Sequence, residues 1–451
     1  MDLLSLKVED MAGIHFDCSC GRSHSVEIKD IKIGSGVINE IEHILSKFDV
    51  KRIFIVEDRN TYKAAGKIVE EKLNKKFGIT KLVFEDERLV PDEKALGRMI
   101  IGIPHDAELI LAIGSGTIND LCRFLSYKTG IPYAIVCTAP SMDGYASVVS
   151  PLIINGVKTT LDAVYPQAII ADIDILREAP MKMLQSGLGD ILGKYTALAD
   201  WNLSRILNGE YFCDTIAQVT MKALRNCIKY SKGIPERDSK AIESITEALI
   251  LSGIAIGMCK TSRPASGGEH HLSHCWENIF MNEGKIPEYL HGNNVGVGVG
   301  IIIEAYKYAG GLDIQKIYSQ GEYRHFSRDK WIKNLNEVYG RTAPKIIKEK
   351  EGYICFDETE REENVKNIVN KWDKVKKLCD SNLPDADYVR NVLKDVGAVY
   401  KPSELGLDKE LFKKSFIAAK DIRKRYGILQ LLEDIGKIEE AAGIIADKYY
   451  D

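Results

Sequence analysis

Over the first third of the chain, short apolar runs alternate with stretches of helical spacing, the pattern of strand-helix units that build a largely parallel sheet. Arg52-Ile53-Phe54-Ile55-Val56 predicts a buried strand, followed by the polar turn Glu57-Asp58-Arg59-Asn60-Thr61 and a helix through Lys75. Lys81 to Phe84 repeats the strand signal. A third strand, Glu108 to Ile113, runs into Gly114-Ser115-Gly116, and Tyr133 to Cys137 gives a fourth after a helix carrying Leu121 and Phe124. From about Asp172 the β-branched runs thin out and helical periodicity takes over, as in Met181 to Asn208, Ile216 to Tyr230 and Lys240 to Cys259. The expected fold is an α/β, Rossmann-like domain over 1–171 followed by a mainly α-helical domain over 172–451. The Lys- and Glu-rich tail from Lys345 predicts packed surface helices.

Composition narrows the partners. The 451 residues suffice for two buried cores, and 45% apolar with 28% charged residues is the balance of a globular protein. Sixty-one basic and 65 acidic side chains leave a net charge of -4, so no general field attracts nucleic acid or anionic membrane. The N-terminus lacks the apolar core of a secretory signal, and the runs Ala248 to Met258 and Val295 to Ala305 fall short of the ~20 residues that cross a bilayer. Ten scattered cysteines fit reduced thiols in a cytoplasmic chain.

Two constellations carry chemistry. Gly114-Ser115-Gly116-Thr117-Ile118-Asn119-Asp120 stands between a strand and a helix, where backbone N–H groups and the helix dipole hold a pyrophosphate. It departs from the usual dinucleotide turn: Asn119 replaces the third glycine, the turn follows the third predicted strand, and the ribose-binding acid, Asp58, lies upstream. Glu269-His270-His271-Leu272-Ser273-His274 holds three of nine histidines, with another at His291. On a helix, His270 and His274 share a face and His271 is rotated away. Asp190, ending Gly187-Leu188-Gly189-Asp190 before an apolar helix, is the expected third ligand. Two imidazoles and a carboxylate suit a divalent metal with an open position.

These segments, with Thr138-Ala139-Pro140-Ser141-Met142-Asp143-Gly144, Ser262-Arg263-Pro264-Ala265-Ser266-Gly267-Gly268-Glu269-His270 and His291-Gly292, resemble the superfamily of iron-containing alcohol dehydrogenases, glycerol dehydrogenases and dehydroquinate synthases. Within it the chain most resembles the sn-glycerol-1-phosphate dehydrogenases, in their bacterial AraM-like branch. The resemblance implies a homodimeric enzyme that reduces dihydroxyacetone phosphate to glycerol 1-phosphate with NADH or NADPH. It places one divalent metal, zinc or nickel, on Asp190, His270 and His291. It places His274 near the substrate for proton transfer and Asp143 as a substrate-side acid. A phosphorylated substrate also needs cations, and Arg263, Lys158 and His274 are the nearest candidates by motif, with Lys158 also assigned to the chemistry. Cofactor contacts fall to Asp58 and Asn60, to Gly114, Ser115, Gly116, Thr117, Asn119 and Asp120, and to Thr138, Ser141 and Ser147. Asp58 would repel a 2′-phosphate and favours NADH, although Arg59 beside it could accept one.

Other readings compete. Glycerol as substrate would need no phosphate-binding cation, and a cyclising lyase of the dehydroquinate synthase kind would use NAD and metal but return the cofactor unchanged; the Ser262 to Glu269 stretch argues against the lyase. A non-catalytic nucleotide-binding protein would not need Asp190, His270 and His291. Gly296, Gly298 and Gly300 are expected to allow close helix packing rather than to bind phosphate. Cys18-Ser19-Cys20-Gly21 with His24 predicts a glycine-containing turn between short strands, since zinc usually takes Cys-x2-Cys.

Overall fold

The computed structural model describes residues 3–284, 288–354, 357–381 and 383–450. At its start β1 (His15–Asp17) and β2 (Ser23–Ser25) form an antiparallel hairpin with Phe16 paired to His24. Six strands then make one parallel sheet: β3 (Asp30–Gly34), β4 (Arg52–Asp58), β5 (Gly78–Phe84), β6 (Leu109–Gly114), β7 (Tyr133–Cys137) and, after the hairpin β8 (Val149–Ile154) and β9 (Val157–Asp162), β10 (Ala168–Asp172). Every residue of β6, β7 and β10 is buried, which is why these strands read as unbroken apolar runs rather than alternations.

The order across the sheet is β3-β10-β7-β6-β4-β5. From β4 the chain passes outward to β5 and returns to β6 on the other side of β4, so the winding reverses between β4 and β6. Pairing of Ile53 with Leu109 and of Val56 with Ala112 sets Asp58 and Gly114 level at the carboxyl ends of adjacent strands. Open α/β sheets bind ligands at such a reversal. Two strands of this sheet, β3 and β10, were not anticipated, nor was the hairpin of β8 and β9; because β3 precedes β4 the glycine turn follows the fourth sheet strand in chain order, not the third.

The chain forms two compact units, Met1–Ile191 with Asp214–Ser262, and Leu192–Cys213 with Arg263–Asp451. This divides the chain differently from the expected break at 171, since the helices Asp214–Tyr230 and Ser239–Cys259 go with the sheet. The sheet unit buries Ile41, Ile44, Ile55, Val69, Leu111, Val136 and Ile170 together. In the helical unit Trp276, Tyr306, Trp331, Trp372, Phe412, Phe416 and Leu431 share one core. The tail is thus part of that core and not a surface layer: Ile368, Trp372, Val375 and Leu378 recur at helical spacing on the buried side of Glu358–Ser381. Ser239–Cys259 is by length and composition apolar enough to cross a membrane, but 83% of its apolar window is buried inside the protein.

Candidate active site

In the sheet unit, the helix Gly116–Thr129 starts directly after β6, with Ser115 as its N-cap in extended backbone and no capping bond from its side chain. The first backbone bond of the turn runs from Asn119 N to Ser115 O at 3.0 Å, so the amides of Gly116, Thr117 and Ile118 have no acceptor within the helix and suit an anion. Gly114 is required by its neighbour, since a Cβ there would lie 2.5 Å from Ile118 Cβ, whereas one on Gly116 would lie 2.6 Å from Met142 Cε, the movable end of a flexible side chain. Asn119 is buried and its Nδ2 donates to Gly144 O at 3.0 Å. Asp120 points into protein, accepting from the buried Arg123 guanidinium at 3.0 Å, and burial raises its pKa to about 7 against the pull of Arg123 and Lys158.

Arg123 also donates to the carbonyls of Gly144 and Val149 and to Tyr133, tying the loop after β7 to this helix. In that loop Thr138 N donates to Gly114 O at 3.0 Å, Ser141 O accepts from Ser186, and Ser147 Oγ caps the amide of Val149. Asp143 is held at both ends: its amide donates to Asp190 Oδ2 at 2.9 Å, and its carboxylate accepts from Ser252 at 2.8 Å. Asp190 lies inside the helix Met181–Leu192 rather than ahead of it, fully buried. Lys158 stands on β9 opposite Ile153. Asp58 caps the helical turn after β4, its Oδ1 accepting from Asn60 N and Thr61 N at 2.8 and 2.9 Å, and Asn60 is exposed there.

In the helical unit, Gly268–Asn282 carries His270 and His274 one turn apart and His291 opens the helix His291–Gly310. Their rings cluster, with centroids 5.1 Å apart for His270 and His291 and 5.0 Å for His274 and His291. Two are oriented by carboxylates: His270 Nδ1 lies 2.8 Å from Glu269 Oε1, and His291 Nδ1 lies 2.6 Å from Glu277 Oε1. A carboxylate accepts, so each Nδ1 carries the proton and each Nε2 is left as the ligand atom, the arrangement that metal-binding histidines need. His274 differs, for Arg423 donates to its Nε2 at 3.1 Å. His271 is buried, and its pKa is held well below the ordinary histidine value by burial and then by Arg423 and Arg425.

A family model for iron-containing alcohol dehydrogenase matches residues 32–180. A glycerol-1-phosphate dehydrogenase [NAD(P)+] of Halalkalibacterium halodurans is 33% identical over 93% of this chain and 96% of its own length. This chain belongs to the glycerol-1-phosphate dehydrogenase family. A family member from Pyrococcus furiosus is 32% identical over 64% of this chain and 80% of its own. Among solved structures, glycerol dehydrogenase of Schizosaccharomyces pombe matches the fold at a TM-score of 0.61 with 15% identity, covering 93% of this chain and 90% of its own.

Within this family member the turn before His270 is built by residues that the sequence did not single out. Glu269 accepts from Gly267 N at 2.7 Å and from Thr196 at 2.6 Å as well as from His270. Asp200, buried, accepts from Gly268 N at 2.7 Å, Tyr306 at 2.6 Å and Ile428 N at 2.8 Å, and its burial lifts its pKa to about 6. Asp200, Ser252 and Arg423 lie far in sequence from what they touch, and their only signal was a polar residue within an apolar helix or the basic run Arg423-Lys424-Arg425; Glu277 lies near its partners Ser273, His274 and His291 but was not singled out. Arg263 is engaged by protein: its Nε donates to Glu210 at 2.8 Å and a terminal nitrogen to Tyr426 O at 2.8 Å. Gly298 and Gly300 in His291–Gly310 serve packing as expected, for a Cβ on Gly298 would lie 2.9 Å from Glu269 O and one on Gly300 2.7 Å from Tyr449.

Proposed function

We propose that the chain reduces dihydroxyacetone phosphate to sn-glycerol 1-phosphate, reversibly, with NADH or NADPH and one divalent metal. Relatives of that name spanning nearly the whole chain support the substrate. The observation that carries the chemistry is the pair His270 and His291, each held at Nδ1 by a carboxylate so that Nε2 is the atom left to ligate. We assign the metal to Asp190, His270 and His291, with zinc or nickel fitting two imidazoles and a carboxylate, and it supplies Lewis-acid polarisation of a carbonyl.

The amides of Gly116, Thr117 and Ile118 hold the cofactor pyrophosphate, and Thr138, Ser141 and Ser147 shape the loop beside them. Asp58 favours the cofactor without a 2′-phosphate, with Asn60 beside it. His274, contacted by Arg423, serves in proton transfer near the substrate, and Asp143, fixed by Ser252, serves with Lys158. With Arg263 engaged by Glu210, Arg423 is the better placed cation for the substrate phosphate, since it already touches His274. The working form we infer is a homodimer, as the family resemblance implies, in the cytoplasm, as the scattered cysteines suggest.

The test follows loss of NADH absorbance with dihydroxyacetone phosphate after chelation, with zinc or nickel restored. Turnover that returns with metal is expected. Absence of turnover under every metal, alongside turnover of glycerol or a heptulosonate phosphate, would refute the substrate assignment.

A further inference from the structure

The hairpin of β1 and β2 brings together a cluster with no place in the reaction. Gly21, at φ +84°, allows a tight loop closed by Cys18 N on Arg22 O and Gly21 N on Cys18 O, both at 3.0 Å. The loop folds Cys20 back toward His24 on the returning strand, and Cys20 Sγ lies 3.3 Å from His24 Nε2. The ligand atoms of Cys18, Cys20 and His24 all lie within 4.8 Å of one another. His24 is buried, and its Nδ1 lies 2.9 Å from Met258 O, a carbonyl in the last turn of Ser239–Cys259. A carbonyl only accepts, so Nδ1 carries the proton and Nε2 turns its lone pair toward the two sulfurs.

We propose that Cys18, Cys20 and His24 bind a zinc ion that fastens the N-terminal hairpin to the end of Ser239–Cys259. With zinc bonds of about 2.3 Å to sulfur and about 2.0 Å to nitrogen at a tetrahedral angle, the two atoms stand about 3.5 Å apart, close to the separation seen between Cys20 and His24. Two thiolates and an imidazole are the soft donor set that selects zinc. The carbonyl behind His24 is the outer partner that fixes a ligand imidazole, and Thr215 Oγ1 stands 3.5 Å from Cys18 Sγ in the same outer position. The expectation of a plain turn named His24 but rested on the tightness of the Cys-x-Cys spacing. The structure brings the His24 imidazole from the opposite strand onto the two sulfurs.

The full-length chain, purified reduced and without chelator, is assayed for metal content and then loaded with cobalt(II). Wild type is expected to hold one metal more per chain than Cys20→Ser or His24→Ala, and the cobalt form to show a thiolate-to-cobalt charge-transfer band. Asp190, His270 and His291 offer no sulfur, so this readout is separate from turnover, and loss of catalysis would not touch it. If the variants fail to fold, the wild type alone decides, by whether stoichiometric zinc bleaches the band. A cobalt form without the band, or variants that keep the wild-type metal content, would overturn the proposal and leave a thiol-imidazole hydrogen bond.

Discussion

Glu269 shows how much of the site rests on a side chain that meets no substrate. It accepts from His270, Thr196 and Gly267, and so fixes both the imidazole and the turn that presents it. Glu269→Gln keeps the shape but weakens the hold on His270 Nδ1, and the expected result is metal bound about 10- to 100-fold more weakly, measured by chelator competition. Unchanged affinity would mean that packing alone fixes the ring. Glu57 gives a second residue-scale prediction. It is fully buried at the end of β4, and burial, then Glu70, raises its pKa from 4.5 to about 7, with Asp58 adding to the rise and Lys81 opposing it. A carboxyl whose folded pKa exceeds its unfolded one stays protonated when folded, so the unfolded chain binds fewer protons between pH 4.5 and about 7 and stability falls as pH rises through that window. The loss amounts to at most about 3 kcal/mol. Glu57→Gln removes it, and denaturant titrations from pH 5 to pH 8 should show a flatter profile for the variant. At this scale the sequence was legible where chemistry clusters along the chain, as at His270 and His274. It was not legible for Ser252, Asp200 or Arg423, whose meaning comes from a partner dozens of residues away.

Helix contacts separate glycines that look alike in sequence. A Cβ on Gly187, within Met181–Leu192, would collide with the backbone carbonyl of Pro140, which no rotamer change relieves. Gly187→Ala should therefore push the Thr138 to Ser141 loop aside, costing about 3 kcal/mol by the range for overpacking and raising KM for the cofactor. Gly97, within Glu93–Gly102, has no atom within 4 Å of the same position. Gly97→Ala should stabilise by about 0.5 to 1 kcal/mol through helix propensity alone. Denaturant midpoints of the two variants test both signs at once. Periodicity made the long helices and β4, β6 and β7 legible. It missed β3, where Asp30-Ile31-Lys32-Ile33-Gly34 alternates too briefly to stand out, and β10, whose five residues abut a helical stretch. It also placed Asp190 before a helix, whereas Gly187 and Asp190 both lie within Met181–Leu192, with Gly187 close against the Pro140 carbonyl.

The whole chain is divided in a way that no change of periodicity marks, because a helix belongs with whatever covers its apolar side and not with its neighbours in sequence. Asp214–Tyr230 and Ser239–Cys259 follow a segment of the helical unit yet go with the sheet. Near the N-terminus Leu3 and Met11 line the same apolar cleft as Ile216, Val219, Ile254 and Met258. Gly253 lets Ser239–Cys259 approach the loop after β7 so closely that a Cβ there would lie 2.8 Å from Asp143 O. A fragment of residues 1–171, cut where the sequence pattern changes, would lose the partners of Asp143 at Asp190 and Ser252, the Met258 carbonyl held by His24, and the cover over Leu3 and Met11. Exposed apolar surface and orphaned polar groups act together against folding. The fragment should bind a hydrophobic dye and melt without a cooperative transition, whereas residues 1–262, which keep every segment of the sheet unit, should melt cooperatively. Calorimetry on the two fragments decides the matter, and a sharp two-state melt from 1–171 would show that the sheet and its first helices suffice without the returning pair.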